Sequence, residues 1–226
     1  MNRLVGIFII VILMLLGFVL KLISIASLNK RLQYTVDYRN DFIDFCNELE
    51  KTGSIGGEKY YRLLKEVNKI QRELGMDGII SVYRDPLAGF QMNNYPVFLN
   101  FFNELRTYST DFSLFGERRY LLVSNADESL TKHIGVLNDA IDIAKQRLKN
   151  PVYCFANGIN GIISLPIKIL EWSGILTNDF SSRILKSKVH QIISKLLVLI
   201  GLISSIMTIV MGWNQFLDLI RNIIEH

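Results

Sequence analysis

The residues of this chain that carry chemistry are thinly spread. The string TGSIGGEKY at residues 52–60 comes nearest to a motif. A phosphate-binding loop needs Gly-Lys followed by Ser or Thr, so that backbone N–H groups cradle the phosphates and the lysine reaches them. Here Gly57 is followed by Glu58, and Lys59 by Tyr60, so the string reads as a plain turn. Cys46 and Cys154 form no CxxC pair and imply no disulfide framework. His133, His190 and His226 share no metal-ligand spacing. Asp139 and Asp142 fall on the polar side of a helix whose other face is apolar, where carboxylates are ordinarily solvated. Catalysis needs a nucleophile with its base, a carboxylate pair or metal ligands brought together. The spacing assembles none of these. No catalytic, cofactor-binding or metal-binding residue is assigned, and the expectation is a protein that is not an enzyme and carries no cofactor.

The elements that would position any site are dominated by membrane segments. Half of the 226 residues are hydrophobic, with the excess at the two ends. Val5 to Leu20 carries no charge, and it reaches the length of a spanning helix if Lys21 snorkels to the interface. A cleaved signal peptide is the competing reading, with Arg3 as its basic start and Ser24-Ile25-Ala26 as its cleavage site. Lys21, Lys30 and Arg31 just after the run resist export, so a retained anchor is preferred. Leu196 to Gly212 is the second expected span, bracketed by Lys195 and Trp213. Within it Gly201 and Ser205 form a small-xxx-small pair. Phe216, Leu217, Ile220, Ile223 and Ile224 follow on one helical face, expected on the outer leaflet.

Between these ends the periodicity is helical. Leu28, Leu32, Tyr38, Phe42, Phe45 and Leu49 fit one face of a helix leaving the membrane. Tyr60, Leu63, Leu64, Val67, Ile70 and Leu74 mark a second helix ended by Gly75, and Val97, Phe98, Phe101, Phe102 and Leu105 a short third. Gly78 to Asn94 is read as a connector rich in turn chemistry, packed on the bundle. Leu130, Ile134, Leu137, Ile141, Ala144 and Leu148 alternate by four and three residues as an a/d seam, stopped by Asn150-Pro151. No stretch shows strand alternation, so the region reads as all-α.

Phe155 to Leu176 is long enough to span, but Asn157, Asn160, Ser164, Lys168 and Glu171 recur every three or four residues as a polar stripe. Basic residues flank it on both sides: Lys145, Arg147 and Lys149 before, Arg183, Lys186 and Lys188 after. The positive-inside rule disfavours placing either group outside, so an amphipathic helix lying in the interface is expected. Residues 30–149 hold 17 basic and 17 acidic side chains, while residues 150–195 hold five basic against two acidic. The surplus lies beside apolar segments and suits a phospholipid surface better than nucleic acid.

The expected fold is therefore an all-α, membrane-anchored helical bundle with two transmembrane helices and an interfacial amphipathic helix. Residues 1–28 form the N-terminal anchor and 29–150 a cytoplasmic bundle. Residues 151–195 form the interfacial helix and a basic linker, and 196–226 the C-terminal span with its tail. The stretch NPVYCFANGINGIISLPIKILEWSGIL, with the basic linker and a terminal span ending in Gly-Trp, resembles a group of bacterial membrane proteins with no known activity. In that group an Asn-Pro-aromatic start and a P-I-x-I-L-x-W-x-G finish recur. Here Val152 separates Pro151 from Tyr153. RLLKEVNKIQRELGMDGI and MNNYPVFLN share the resemblance. It implies a bacterial inner-membrane, multi-pass protein and brings no activity. An anchor before a helical bundle is also similar in architecture to LemA-type proteins. The function expected is a membrane-anchored interaction or scaffold protein, with membrane lipid and a protein partner or a second copy as partners. An oligomeric, membrane-perturbing or pore-forming effector is the alternative.

Overall fold

No glycine or proline interrupts the chain from Phe18 to Thr52. In the computed structural model this stretch belongs to a single unbroken helix, α1 (Arg3–Thr52). The structure describes residues 3–85, 89–108 and 115–224; the side chains of 3–7, 85, 90, 108, 115–118, 205 and 208–224 lie outside the description. After α1 come α2 (Gly57–Leu74), a 3-10 turn (Gly75–Gly78), strands β1 (Ile79–Asp85) and β2 (Phe90–Pro96), α3 (Val97–Tyr108) and α4 (Phe115–Leu148). Helices α5 (Pro151–Trp172), α6 (Asn178–Lys186) and α7 (Lys188–Ile224) follow. The described residues are 86% helical. It divides into two compact units, residues 26–142 and residues 1–25 with 143–226.

In the first unit each helix buries the face that its periodicity marks. Tyr38, Phe42, Phe45 and Leu49 of α1 meet Tyr60, Leu63, Ile70 and Leu74 of α2, the aromatic face of α3, and Leu122, Ala126 and Leu130 of α4. The rings pack edge to face: Phe42 and Phe101 have centroids 5.0 Å apart at 65°. That geometry sets the positive ring edge against the negative face. Gly53, at φ 65°, closes α1 with its N–H on the Leu49 carbonyl at 2.9 Å. Ion pairs from Lys59 to Asp44 and Glu48, and from Arg62 to Asp41, then hold α2 against α1.

The stretch from Gly78 to Asn94 corrects the all-α expectation. It is an antiparallel hairpin, with Ile79 paired to Pro96 and Asp85 to Phe90. Tyr95 is buried and stacks on Tyr83 at 4.3 Å and 15°. Asn93-Asn94 reads as a turn, yet it lies inside β2. Asn94 takes φ 54°, a region asparagine tolerates, and the ladder skips it. The actual turn carries Gly89 at φ 66°.

Along α4 the seam buries Leu130, Leu137, Ile141 and Ala144, each under 4% exposed, while Ile134 is only half-buried. Asp139 and Asp142 are exposed, as their positions on the helix require. Leu137→Ala and Ile141→Ala should each cost about 2–5 kcal/mol, the range for a packed aliphatic truncated to a cavity. The check is the unfolding midpoint of the full chain. An unchanged midpoint in both variants removes this face from the core.

In the second unit Asn150 caps α5, its side-chain oxygen accepting from the Val152 and Tyr153 N–H groups at 3.0 and 3.3 Å, with Pro151 at the first helical position. The α5 and α1 backbones touch. A Cβ on Gly17 would lie 1.8 Å from the Cys154 carbonyl oxygen, and one on Gly158 2.0 Å from that of Leu13. Asn157 Nδ2 donates to the Gly17 carbonyl at 2.8 Å. The expected basic linker is itself helical, α6, capped by Thr177. Gly201 of α7 faces Ile159 and Phe155 of α5, so its small surface is used within the chain. Its expected partner Ser205, the anchor Trp213 and the apolar face from Phe216 to Ile224 have side chains outside the described residues.

Among the described residues two helices are long and apolar enough to cross a membrane, α1 over Phe8–Thr52 and α5 (Pro151–Trp172). Helix α6 and the Lys188–Ser204 part of α7 meet the same measure only as a pair, bent by 55°. The first expected span lies in α1; the other helix that qualifies is α5, the segment read as interfacial, while the expected span Leu196–Gly212 is described without a break only to Ser204.

Candidate functional site

The positions singled out by type and spacing are dispersed or committed. Lys59 binds two carboxylates of α1, at 3.2 Å to Asp44 and 3.1 Å to Glu48, and these bonds hold its pKa above the usual lysine value. Nothing about it faces a phosphate cradle. Both cysteines are free thiols. Burial pushes the Cys46 thiol up to about 12, so it carries no thiolate at neutral pH. His226 lies outside the described residues.

One convergence of titratable groups is present, and it joins residues far apart in sequence. Helical spacing sets His133 on the buried face of α4 between Leu130 and Leu137, with its side chain 6% exposed. The last turn of α2 brings Glu73 Oε1 to 3.2 Å from His133 Nε2, and the 3-10 turn brings Asp77 Oδ2 to 2.8 Å from Nδ1. Arg31 of α1 donates to the same Glu73 oxygen at 2.7 Å. Both nitrogens of His133 thus face a carboxylate, and Arg31 shares the Glu73 oxygen. Burial raises the pKa of Glu73, but the hydrogen bonds and charges of Arg31 and His133 outweigh it and hold the carboxyl below its usual range. With both ring nitrogens occupied and the ring covered, the cluster fastens four elements and offers no open face to a substrate.

That depressed pKa fixes a sign. A carboxyl held low in the folded state contributes stability that is complete above its unfolded pKa, about 4.3, and is lost as pH falls through the folded value. Glu73→Gln should therefore lower stability at pH 7 and flatten its decline in acid, read as urea midpoints across pH 2–7. A parallel acid decline in the variant would sink this assignment.

Cavities adjoin the bundle core. One of about 600 Å³ lies between α1 and α4, lined by Cys46, Asn47, Glu50, Arg119 and Asp127 among others. Asp127 is held across it by Arg39 in a bidentate pair at 2.7 and 3.1 Å. Another, about 630 Å³, is an open groove lined by Gln71, Gly75, Met76, Ile79, Pro96 and Leu99, with Met76 78% exposed. Among the described residues no three of His, Cys, Asp or Glu are placed to hold a metal ion. No protein family, curated protein or solved structure matches this chain.

Proposed function

We propose that the protein is a membrane-anchored interaction or scaffold protein whose helical bundle presents a partner-binding groove. The groove between α2, α3 and the hairpin carries this reading. Met76 and Leu99 line it and leave apolar surface exposed on a bundle whose own core is already closed. Exposed apolar surface around a groove of this size is the usual mark of an interaction site. One unbroken helix, α1, carries both the first apolar run and a core face of the bundle.

The topology proposed has residues from about Lys30 to Lys195 on the cytoplasmic side of a bacterial inner membrane, both termini outside, and α5 lying in the interface. The basic residues after the first apolar run and before the last support it. The resemblance to bacterial anchored proteins belongs to the same proposal.

The test is affinity purification of the full chain from native membranes, comparing wild type with Met76→Asp and Leu99→Asp. A stoichiometric partner, or a second copy, held by wild type and lost with both folded variants supports the groove. Retention by both variants rejects it. Ion flux from purified protein in liposomes would favour the pore-forming alternative instead.

A further inference from the structure

We propose that the cavity between α5, α6 and the first turns of α7 binds a phosphate group bearing net negative charge, the chemistry that an anionic phospholipid headgroup presents. The cavity measures about 400 Å³. One wall is a single face of α7 carrying His190, Ser194, Lys195 and Val198, and Asn160 of α5 also lines it. No carboxylate is among the lining residues. Ser194 is 8% exposed, and its Oγ is buried without a hydrogen-bond partner among the described residues. Buried hydroxyls are normally satisfied, so an orphan one at a cavity wall points to a missing acceptor.

The backbone around the cavity is fixed. The His190 N–H donates to Ser187 Oγ at 3.1 Å, and Gln191 Nε2 donates to the Lys186 carbonyl at 3.0 Å. The imidazole of His190 and the ammonium of Lys195 make no ion pair among the described residues. Hydroxyl, amide, imidazole and ammonium are four donors on one concave surface with no competing anion. Phosphate oxygens are the acceptors that match such a set, and charge-assisted bonds to them are the strong kind. Lys195 directly precedes the apolar run Leu196–Gly212, which sets the cavity at headgroup depth, where basic pockets between membrane helices take anionic lipids. Val198 and Leu185 add an apolar margin suited to the glycerol and upper acyl carbons.

The experiment uses the full chain in detergent micelles and counts bound lipid by native mass spectrometry. Phosphatidylglycerol is compared with phosphatidylcholine of the same acyl chains, and inorganic phosphate is the competitor. Wild type should bind phosphatidylglycerol about tenfold more tightly than phosphatidylcholine, the scale of one charge-assisted bond. Lys195→Gln and Ser194→Ala should each lose most of that preference, while Lys168→Gln, outside the cavity, should keep it. Displacement by inorganic phosphate would identify the free anion as the ligand, and its failure to displace would identify the lipid. Equal binding of the two lipids by wild type overturns the proposal. So does full preference in folded Lys195→Gln and Ser194→Ala; should either fail to give a helical circular-dichroism melt, His190→Gln decides in its place.

Discussion

Gly158→Ala should separate α5 from α1. The added Cβ would stand 2.0 Å from the Leu13 carbonyl oxygen and 2.9 Å from its carbon. Both atoms belong to a helical backbone and cannot rotate aside, so the helices must part. The Asn157 bond to the Gly17 carbonyl, 2.8 Å, goes with the contact. Overpacking costs about 1–3 kcal/mol and more where backbone must move, and the hydrogen bond adds roughly 0.5–1.5 kcal/mol. Gly17→Ala strikes the same junction at 1.8 Å, so the double variant should lose far less than the sum of the two. Two controls set the scale. Gly161→Ala meets only the terminal Cδ1 of Leu20, at 2.5 Å, a side-chain tip that can swing away. Gly135→Ala on α4 meets nothing within 4 Å and should stabilise by roughly 0.5–1 kcal/mol. The readout is the melting temperature of the full chain in lipid nanodiscs. A Gly158→Ala protein that melts with wild type would mean that this helix contact does not form.

The first membrane run, the α2 and α3 core faces and the stop of the seam helix at Asn150-Pro151 were legible because each rests on local information. Apolar length, a period of three to four residues, and a residue before proline are all read without knowing the fold. The hairpin was hidden by its own sequence. Asn93-Asn94 advertises a turn, and what keeps β2 extended is tertiary: Tyr95 buried against the core and stacked on Tyr83. The continuity of α1 past Ile25 was available in principle, since nothing from Lys21 to Thr52 breaks a helix. The His133 cluster was not, because Glu73 and Asp77 lie 60 and 56 residues away and only the packing of α2 against α4 joins them. A partial signal existed. His133 stands three residues after Leu130 and four before Leu137, a buried slot in the seam, and a histidine there needs partners.

Cysteines introduced at Lys149 and Asn178 should both be labelled from the cytoplasmic face, with α5 along the membrane surface between them. Lys149 is the better probe site than Asn150, whose side chain caps α5. Cys46 cannot serve as a native reporter, because its thiol is held protonated by burial and would be silent on either side. The expectation starts at Tyr153, whose ring has Lys21 Nζ at 5.8 Å and the Arg147 guanidinium at 5.6 Å from its centroid. An aromatic ring between two cations belongs at the headgroup level. From Cys154 to Gly161, α5 advances about 10 Å. Over that distance its contacts fall at Gly17, then between Leu13 and Gly17, then at Leu20. Gly17 lies one turn from Lys21, about 6 Å along the axis, within the 5–10 Å to which interfacial helices sink. Ile162, Ile169 and Leu170 are exposed, as a lipid-facing side requires, while Asn157 and Ser164 turn their hydrogen bonds inward to the Gly17 and Gly161 carbonyls. A crossing span would instead carry the exposed Lys168 into hydrocarbon at about 2.5–3.5 kcal/mol for a central position. In a background of Cys46→Ser and Cys154→Ala, membrane-impermeant maleimide applied to intact spheroplasts should miss both probes, and applied to inverted vesicles should modify both. Modification of the two probes from opposite faces would make α5 a span and reverse the side assigned to everything after it.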